Sequence, residues 1–495
     1  MSETDNHRVA GPDEGSLAGR CVSRRDFLKV AGVVGAGAGL GGGLVTLLGG
    51  CSGSEETTTT AVAPTTTSAG ATSTIGGATI TTAGAEAPTT TSVGAGTEES
   101  GEFKAGYVLP VTGSMADFGA AATWQIDWFT KNLWKDGLLM GDGKKHKFTV
   151  VVKDMQSDSN RASQVAQDLI LNEKIMLIGA SASAANVVPV REVAENFGCP
   201  CITYDCPGDA WNVDQPDGGY KWSWHTWFIL RDMAINFVTM WDTLKTNKTV
   251  GGLYPNDSDG NAFADSLPLV FQAKGYNYVD PGRFDDGTED YTAVISQMRK
   301  EGVEIINGVP TPPDFANFWK QAVQQGFRPK ASTEAKAMLF PAGVNALGDL
   351  GDGQTMECWF HPTFPYKSTV TGLMPQQVCD QWEQDKGEQW AQPLCYFGQF
   401  EVWTDIMTRC LDPFDKTAII DATKQTKITT IGGPVDWTVN PDPYSGFYNF
   451  STKPIAAGQW AKGAGKWQYD MEIVASATQT DIQTTAEVKK LVYPS

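Results

Sequence analysis

The chain has 495 residues, 57 acidic against 38 basic side chains, a formal charge of −19 and a mean hydropathy of −0.25. The first 50 residues hold Glu3, Asp5, Asp13, Glu14 and Asp26 against Arg8, Arg20, Arg24, Arg25 and Lys29, so the whole excess belongs to the remainder. An acidic body of this kind excludes nucleic acid and anionic lipid as electrostatic partners.

In chain order, a polar start leads to Ser23-Arg24-Arg25-Asp26-Phe27-Leu28-Lys29, a twin-arginine pattern, and then to a Gly-rich apolar run from Ala31 to Leu48. That order predicts an export signal over residues 1–50, too interrupted by glycine to make a good membrane span. The run ends at Leu48-Gly49-Gly50-Cys51, which resembles a lipobox and marks Cys51 for lipidation. Residues 51–102 are Thr, Ala, Gly and Ser with scattered Glu and Pro. Such a stretch buries too little apolar surface to offset chain entropy, so a disordered tether is expected, spanning roughly 40 Å. No later stretch is apolar and long enough to cross a bilayer. The reading is a soluble body held at the outer face of the membrane by the lipid on Cys51.

From Phe103 to about Ala477 strands alternate with amphipathic helices. Strands are expected at Lys104–Pro110, Phe148–Asp154, Pro200–Tyr204, Thr249–Tyr254, Val303–Gly308 and Met356–Phe360, with Trp-rich strands at Trp437, Trp460 and Trp467. Between them helices are expected at Ala116–Lys135, Arg161–Glu173 and up to about Phe197. Further helices are Phe228–Leu244, Ala262–Lys274, Tyr291–Lys300, Asp314–Gln325 and Ala335–Leu347, and two or three more lie between Pro375 and Gln425. Two blocks of βαβ alternation predict an α/β chain of two doubly wound lobes joined by a hinge. The expected division is 103–226 with 362–448, then 227–361 with 449–477, then a tail over 478–495. Of the seven cysteines beyond Cys21 and Cys51, Cys199, Cys201 and Cys206 read as small apolar filler rather than metal ligands. Cys379 and Cys395 flank one loop and are the expected disulfide, with an odd cysteine left over.

The stretch Ile175–Asn186 carries the clearest site signal. A short apolar run ends at Gly179, a small-residue loop carries Ser181 and Ser183, and a helix follows. Backbone N–H groups and two hydroxyls thereby converge on a spot suited to a carboxylate or another polar head. Alternatively, the loop simply caps a helix. In doubly wound lobes the loops after the strands face the crevice. Here these are Thr112–Gly119, Ala180–Asn186 and Asp205–Trp211 on one side, and Pro255–Gly260, Pro310–Asp314 and Ser332–Ala335 on the other.

The pieces Val108–Gly119, Asp154–Ala162, Ile178–Ser183, Tyr254–Gly260 and Phe318–Phe327 together resemble the leucine/isoleucine/valine-binding family of extracytoplasmic receptors for ABC transporters. The resemblance implies the type I periplasmic binding fold, a clamshell. It also implies hinge closure on a small polar ligand (branched-chain amino acid-like, amide- or urea-like), a permease and an ATPase as partners, a monomer, and no cofactor. By the same resemblance Ser181 and Ser183 meet a ligand carboxylate, Tyr204 and Asp205 stand in the second contributing loop, and Phe118 takes an aromatic position above the ligand. Glu334 matches an ammonium-binding acid, while Thr311 and Asp259 fall on positions elsewhere held by tyrosine. Glu334 also reads as a helix N-terminal acid, and Asp205 as a turn residue. Trp211, Trp222, Trp224 and Trp227 read mostly as core, with Trp224 or Trp222 a candidate to stack on ligand. Asp205 departs from the family pattern: a buried acid there repels a carboxylate and favours an amide, amine or hydroxyl ligand.

Two rival readings are a ligand sensor of the same fold serving a signalling receptor, and a cleft enzyme. For the enzyme, the body offers only His146, His225 and His361, no nucleophile elbow and no phosphate loop.

Overall fold

The computed structural model describes residues 99–493. The twin-arginine segment, Cys51 and nearly all of the tether lie outside them. The first sheet is built from β1 (Glu99–Leu109), β2 (Leu138–Leu139), β3 (Lys145–Asp154), β4 (Leu177–Ala180), β5 (Cys201–Thr203) and β6 (Ser223–Trp227). The second takes β7 (Thr249–Pro255), β8 (Asn277–Val279), β10 (Ile305–Gly308), β11 (Ala331–Glu334) and β12 (Thr355–Cys358), with β9 (Arg283–Phe284) pairing β7 off its path. A hairpin, β13 (Lys427–Thr430) with β14 (Gly433–Asp436), precedes β15 (Phe450–Thr452), β16 (Ala456–Lys462) and β17 (Tyr469–Ala475).

The first sheet runs β15-β6-β5-β4-β1-β3-β2 and the second β17-β16-β12-β11-β10-β7-β8. Pairing is parallel except at the edges, where β2 on β3, β16 on β12 and β17 on β16 are antiparallel. Helices cover the parallel strands on both faces and bury them; Leu177, Ile178, Gly179 and Ala180 of β4 are all buried, as are all four residues of β11.

In each sheet the chain winds outward on one side of its first strand and then resumes on the other. The reversal falls between β1 and β4 in the first sheet and between β7 and β10 in the second. At such a switch point adjacent strand-end loops part and leave a crevice. Two helices begin there: Ala184–Phe197 and Ser258–Ala273, the latter capped by Asp257, which accepts from the Gly260 N–H at 2.6 Å.

The chain passes between the sheets after β6, after β12 and after β15, and an aromatic knot gathers the three passages. The Trp227 and Trp359 rings lie 4.9 Å apart, and Trp359 stacks on Tyr396 at 6.0 Å. The Lys453 N–H donates to the Trp227 carbonyl at 2.9 Å. This knot is the natural pivot for two rigid lobes.

Local chemistry explains where the elements differ from the sequence expectation. The helix expected from Ala116 is a 3₁₀ turn at Ala116–Phe118 followed by Ala122–Lys131. The break lies at Gly119, where a Cβ would stand 2.3 Å from the Pro110 carbonyl oxygen. The helix expected from Ala335 starts only at Pro341, because proline at the first helical position holds Phe340 extended. The aromatic Trp222–Trp227 segment and the Ser332 loop are the strands β6 and β11. Trp437 and Trp467 lie just outside β14 and β17. Phe450–Thr452, assigned by sequence to the second lobe, pair with His225–Trp227 of the first sheet. Residues 478–493 pack on the second lobe, with the Thr485 N–H on the Ile473 carbonyl at 2.8 Å.

The expected Cys379–Cys395 disulfide is corrected: both are buried free thiols, as are the other five cysteines of the body. Cys379 sits on the helix Pro375–Lys386, whereas the Cys395 sulfur is packed beside Lys453 and Gly432. Flanking one loop in sequence did not bring the sulfurs together.

Candidate functional site

The two switch points face each other across a cavity of about 30 Å³. That volume holds one or two water molecules, so a larger solute needs the lobes to stand further apart than they do here. The first lobe contributes Phe118, Ser183 and Asp205; the second contributes Asp259, Lys336 and Glu357. Phe228, Phe263, Val309 and Leu339 make the rest of the wall largely apolar. The Phe118 ring meets Phe340 edge-on at 4.8 Å, an aromatic contact from lobe to lobe.

Backbone strain concentrates here. Ala182 and Ser183 adopt φ of 77° and 74°, Asp205 57° and Lys336 50°, all in the left-handed region that non-glycine residues avoid. Side chains held this way are aimed by the surrounding fold, a frequent mark of binding sites. The Ser183 N–H donates to the Asp205 carbonyl at 2.7 Å, which binds the two strand-end loops of the first lobe together. Asn186 ties the Ser181 loop to β1 by donating to the Ser181 and Val108 carbonyls.

The N-terminus of the helix Ala184–Phe197 is the anion seat that the sequence indicated, and it is filled from the opposite lobe. The Ala184 N–H donates to Asp259 Oδ1 at 3.2 Å. Asp259 is 2 % exposed, and its Oδ2 lies 2.8 Å from Lys336 Nζ. The same ammonium lies 3.2 Å from Asp257 Oδ2, and the two carboxylates hold the Lys336 proton more firmly than in water despite burial.

Two further carboxyl groups face this ion pair. Burial pushes Asp205 up to about 7, countered by the Tyr396 hydroxyl that donates to it and raised again by the charge of Asp259. Burial likewise pushes Glu357 up to about 8, the Asp205 charge adding to it while the Lys336 backbone N–H and ammonium oppose it. Glu357 is 4 % exposed, and its Oε2 has no hydrogen-bond partner. Among the residues lining the cavity, Lys336 is the only base against three acids.

The sequence-predicted residues divide cleanly. Phe118, Ser183, Asp205 and Asp259 line the cavity. Ser181 is buried inside the first lobe, its hydroxyl 2.8 Å from both Gln399 Oε1 and the Tyr107 hydroxyl. Tyr204 points into the same core, 6.0 Å from the Trp227 ring. Trp224 packs on Trp437 at 5.6 Å, and Trp211 stacks on His225 at 5.0 Å. Thr311 donates to Asp314 Oδ2 at 2.6 Å at the start of the helix Pro312–Gln324. Glu334 turns into the second lobe, where Ser332 donates to its Oε1 at 2.9 Å and burial pushes it up to about 8.

Lys336 and Glu357 are the residues that sequence reasoning missed. Lys336 lies one residue past the Ser332–Ala335 rim. Glu357 stands in the otherwise apolar run Met356-Glu357-Cys358-Trp359-Phe360, where an acid in a buried strand is itself a signal. A larger depression of about 410 Å³ near His361, Cys379, Trp390 and Asp470 lies away from the switch points, and none of the predicted residues lines it.

Residues 102–464 match the model of a family described as periplasmic binding protein, and residues 21–41 match the twin-arginine translocation signal sequence. The Leu/Ile/Val-binding protein homolog 8 of Brucella abortus is 22 % identical over 240 residues, 46 % of this chain and 57 % of that protein. The chain thus spans little more than half the length of this relative. The crystal structure of a leucine-binding protein from Thermotoga maritima superposes with a TM-score of 0.63 at 18 % identity, covering 76 % of this chain and 99 % of that one. An ABC-transporter solute-binding protein from Rhodopseudomonas palustris, in complex with 3,4-dihydroxybenzoic acid, gives 0.60 at 18 % identity, covering 76 % and 98 %. With its twin-arginine export signal, its two doubly wound lobes and a family match over most of its length, the chain belongs to the periplasmic binding protein family.

Proposed function

We propose that the chain is a lipid-anchored extracytoplasmic receptor that captures a small polar solute between its lobes by hinge closure and presents it to an ABC permease and its ATPase. The observation that carries this reading is the pair of facing switch points, whose strained, charged loops line a cavity between the lobes. That neighbours of this fold are named for leucine or crystallised with 3,4-dihydroxybenzoic acid supports a small polar solute. Branched-chain amino acid-like and amide- or urea-like molecules form the first screening set. In this mechanism the lobes pivot at the Trp227, Trp359 and Lys453 passages, the solute docks on one rim, and the closed form is what the permease recognises. The body acts as a monomer, and Cys51 carries the lipid that holds it to the outer membrane face.

The test is a thermal-shift screen followed by small-angle scattering with any solute that raises the melting temperature. Compaction on binding supports the reading. Solutes that bind without compaction, or that are turned over, refute it. For the anchor, Cys51→Ser moves the protein from the membrane fraction to the medium; retention in the membrane refutes the lipid assignment.

A further inference from the structure

The seat in which the helix Ala184–Phe197 presents its N-terminus holds a carboxylate already, that of Asp259 from the facing lobe. Lys336, the one base of the cavity wall, is engaged by Asp259 and Asp257 at 2.8 and 3.2 Å. What the closed cleft leaves over is therefore acidic: Asp205, whose carboxylate accepts from Tyr396, and Glu357, whose buried Oε2 accepts from nothing. A buried carboxylate oxygen without a donor costs free energy, and the group that offsets this cost is a donor with positive charge. The rest of the wall suits the same guest. Phe118, Phe228 and Phe263 bring aromatic rings to the cavity, and ring faces attract alkylammonium groups while repelling carboxylates.

We propose that the solute of this receptor is a small alkylammonium cation without a carboxylate, its N–H groups given to Glu357 and Asp205 and its carbon chain laid against the phenylalanines. The inference rests on the receptor reading above and specifies its ligand. It also supplies a reason for closure. Asp205 rides on the first lobe and Glu357 on the second, so closing brings together two buried acids that cannot both ionise cheaply, and a cation between them lets both ionise and so favours closure around it. Burial holds both carboxyl groups high, with Asp259 raising Asp205 against Tyr396 and Lys336 and with Asp205 raising Glu357 against Lys336, so cation uptake expels protons and tightens as pH rises through the range of about 7 to about 8.

The test compares butylammonium, butyramide and butyrate, nearly equal in size and differing in charge, by calorimetry on the purified chain, with putrescine and agmatine as longer cations. The expected result is a cation that binds at least about tenfold tighter than the amide or the acid, as for one charge-assisted hydrogen bond. Its affinity rises from pH 6 to pH 8, and Glu357→Gln weakens it by about tenfold or more. The same glutamine variant melts at or above the wild-type temperature at pH 8, because an unpaired acid has been removed; a purely structural glutamate gives the opposite sign. Asp205→Asn provides the second variant. Butyramide or butyrate binding as tightly as the amine, or an affinity for the amine that falls as pH rises, overturns the proposal and leaves the receptor reading in place. A neutral or anionic solute that compacts the protein while all five probes fail does the same. Failure of every solute to compact it overturns both.

Discussion

Replacement of Lys336 by methionine isolates the one cation of the cleft while keeping the aliphatic stem that packs there. At an effective dielectric near 20, charges 2.8 Å apart attract by about 6 kcal/mol before desolvation, and those at 3.2 Å by about 5 kcal/mol. Most of that attraction is cancelled by the cost of burying the charges, so the useful figure is the penalty for orphaning a partner, about 3–5 kcal/mol. Asp259, 2 % exposed, is the orphan. An orphaned carboxylate escapes by taking up a proton, at about 1.4 kcal/mol for each pH unit above an ordinary value of about 3.9. That route caps the penalty at about 4 kcal/mol at pH 7 and about 1.5 kcal/mol at pH 5. Urea unfolding of Lys336→Met followed by circular dichroism should therefore show a loss of about 3–4 kcal/mol at pH 7 that shrinks below about 2 kcal/mol at pH 5. An equal loss at both pH values would mean that packing, not charge, is what the lysine supplies, and the electrostatic account of the cleft would be refuted.

The wild-type protein should lose stability as pH rises above neutrality. Asp205, Glu357, Glu334 and Glu401 are pushed up to between about 7 and about 8 by burial, so the folded state holds protons that the unfolded state has released, and the slope of stability with pH is negative. Buried neutral His225 and His361 oppose this below about pH 6.5 and fall silent above it. A melting temperature that climbs between pH 7 and pH 8 contradicts the assignment. Glu334→Gln should leave the affinity of any cleft solute within about twofold and stability at pH 7 within about 1 kcal/mol, since Glu334 is largely protonated there and turned away from the cavity; a large loss of affinity returns Glu334 to the site. Gly260→Ala should destabilise by about 2 kcal/mol or more. Its Cβ would stand 1.9 Å from the Pro255 carbonyl oxygen and displace the turn that carries Asp259, so a variant as stable as wild type in urea contradicts the tight packing there.

The architecture was legible because parallel strands buried on both faces leave continuous apolar runs, and because turns between strand and helix carry small residues and caps. Chain order then located the switch points, and with them Ser183, Phe118, Asp205 and Asp259. What sequence could not supply was direction. Ser181 and Ser183 are two residues apart in one loop, yet a backbone with φ of 77° at Ala182 turns the first into the core and the second into the cavity. Glu334 and Lys336 stand in the same relation after β11: a residue at the end of a strand faces its own lobe, and its second neighbour faces the cleft. The aromatic run around β6 lies away from the cavity: Trp224 packs on Trp437, and Trp211, Trp224 and Trp227, read mostly as core, are buried in the first lobe. The failed cysteine pairing has the same origin, since proximity along a loop says nothing about which way two thiols point.

The same placement decides how the receptor can tell full from empty. Asp257, Asp259 and Lys336 all belong to the second lobe, so their ion pairs survive opening, while the Asp259 contact to the Ala184 N–H and the Phe118–Phe340 ring contact are broken. A hydrogen bond to a helix N-terminus and one edge-on aromatic pair contribute about 1 kcal/mol each, a weak latch for two lobes. Against it stands the cost of ionising Asp205 on one rim and Glu357 on the other once closure brings the two buried acids together. A cleft with a weak latch and this built-in cost closes firmly only around something that removes the cost. For the proposed alkylammonium solute, charge more than shape would then be what the hinge reads.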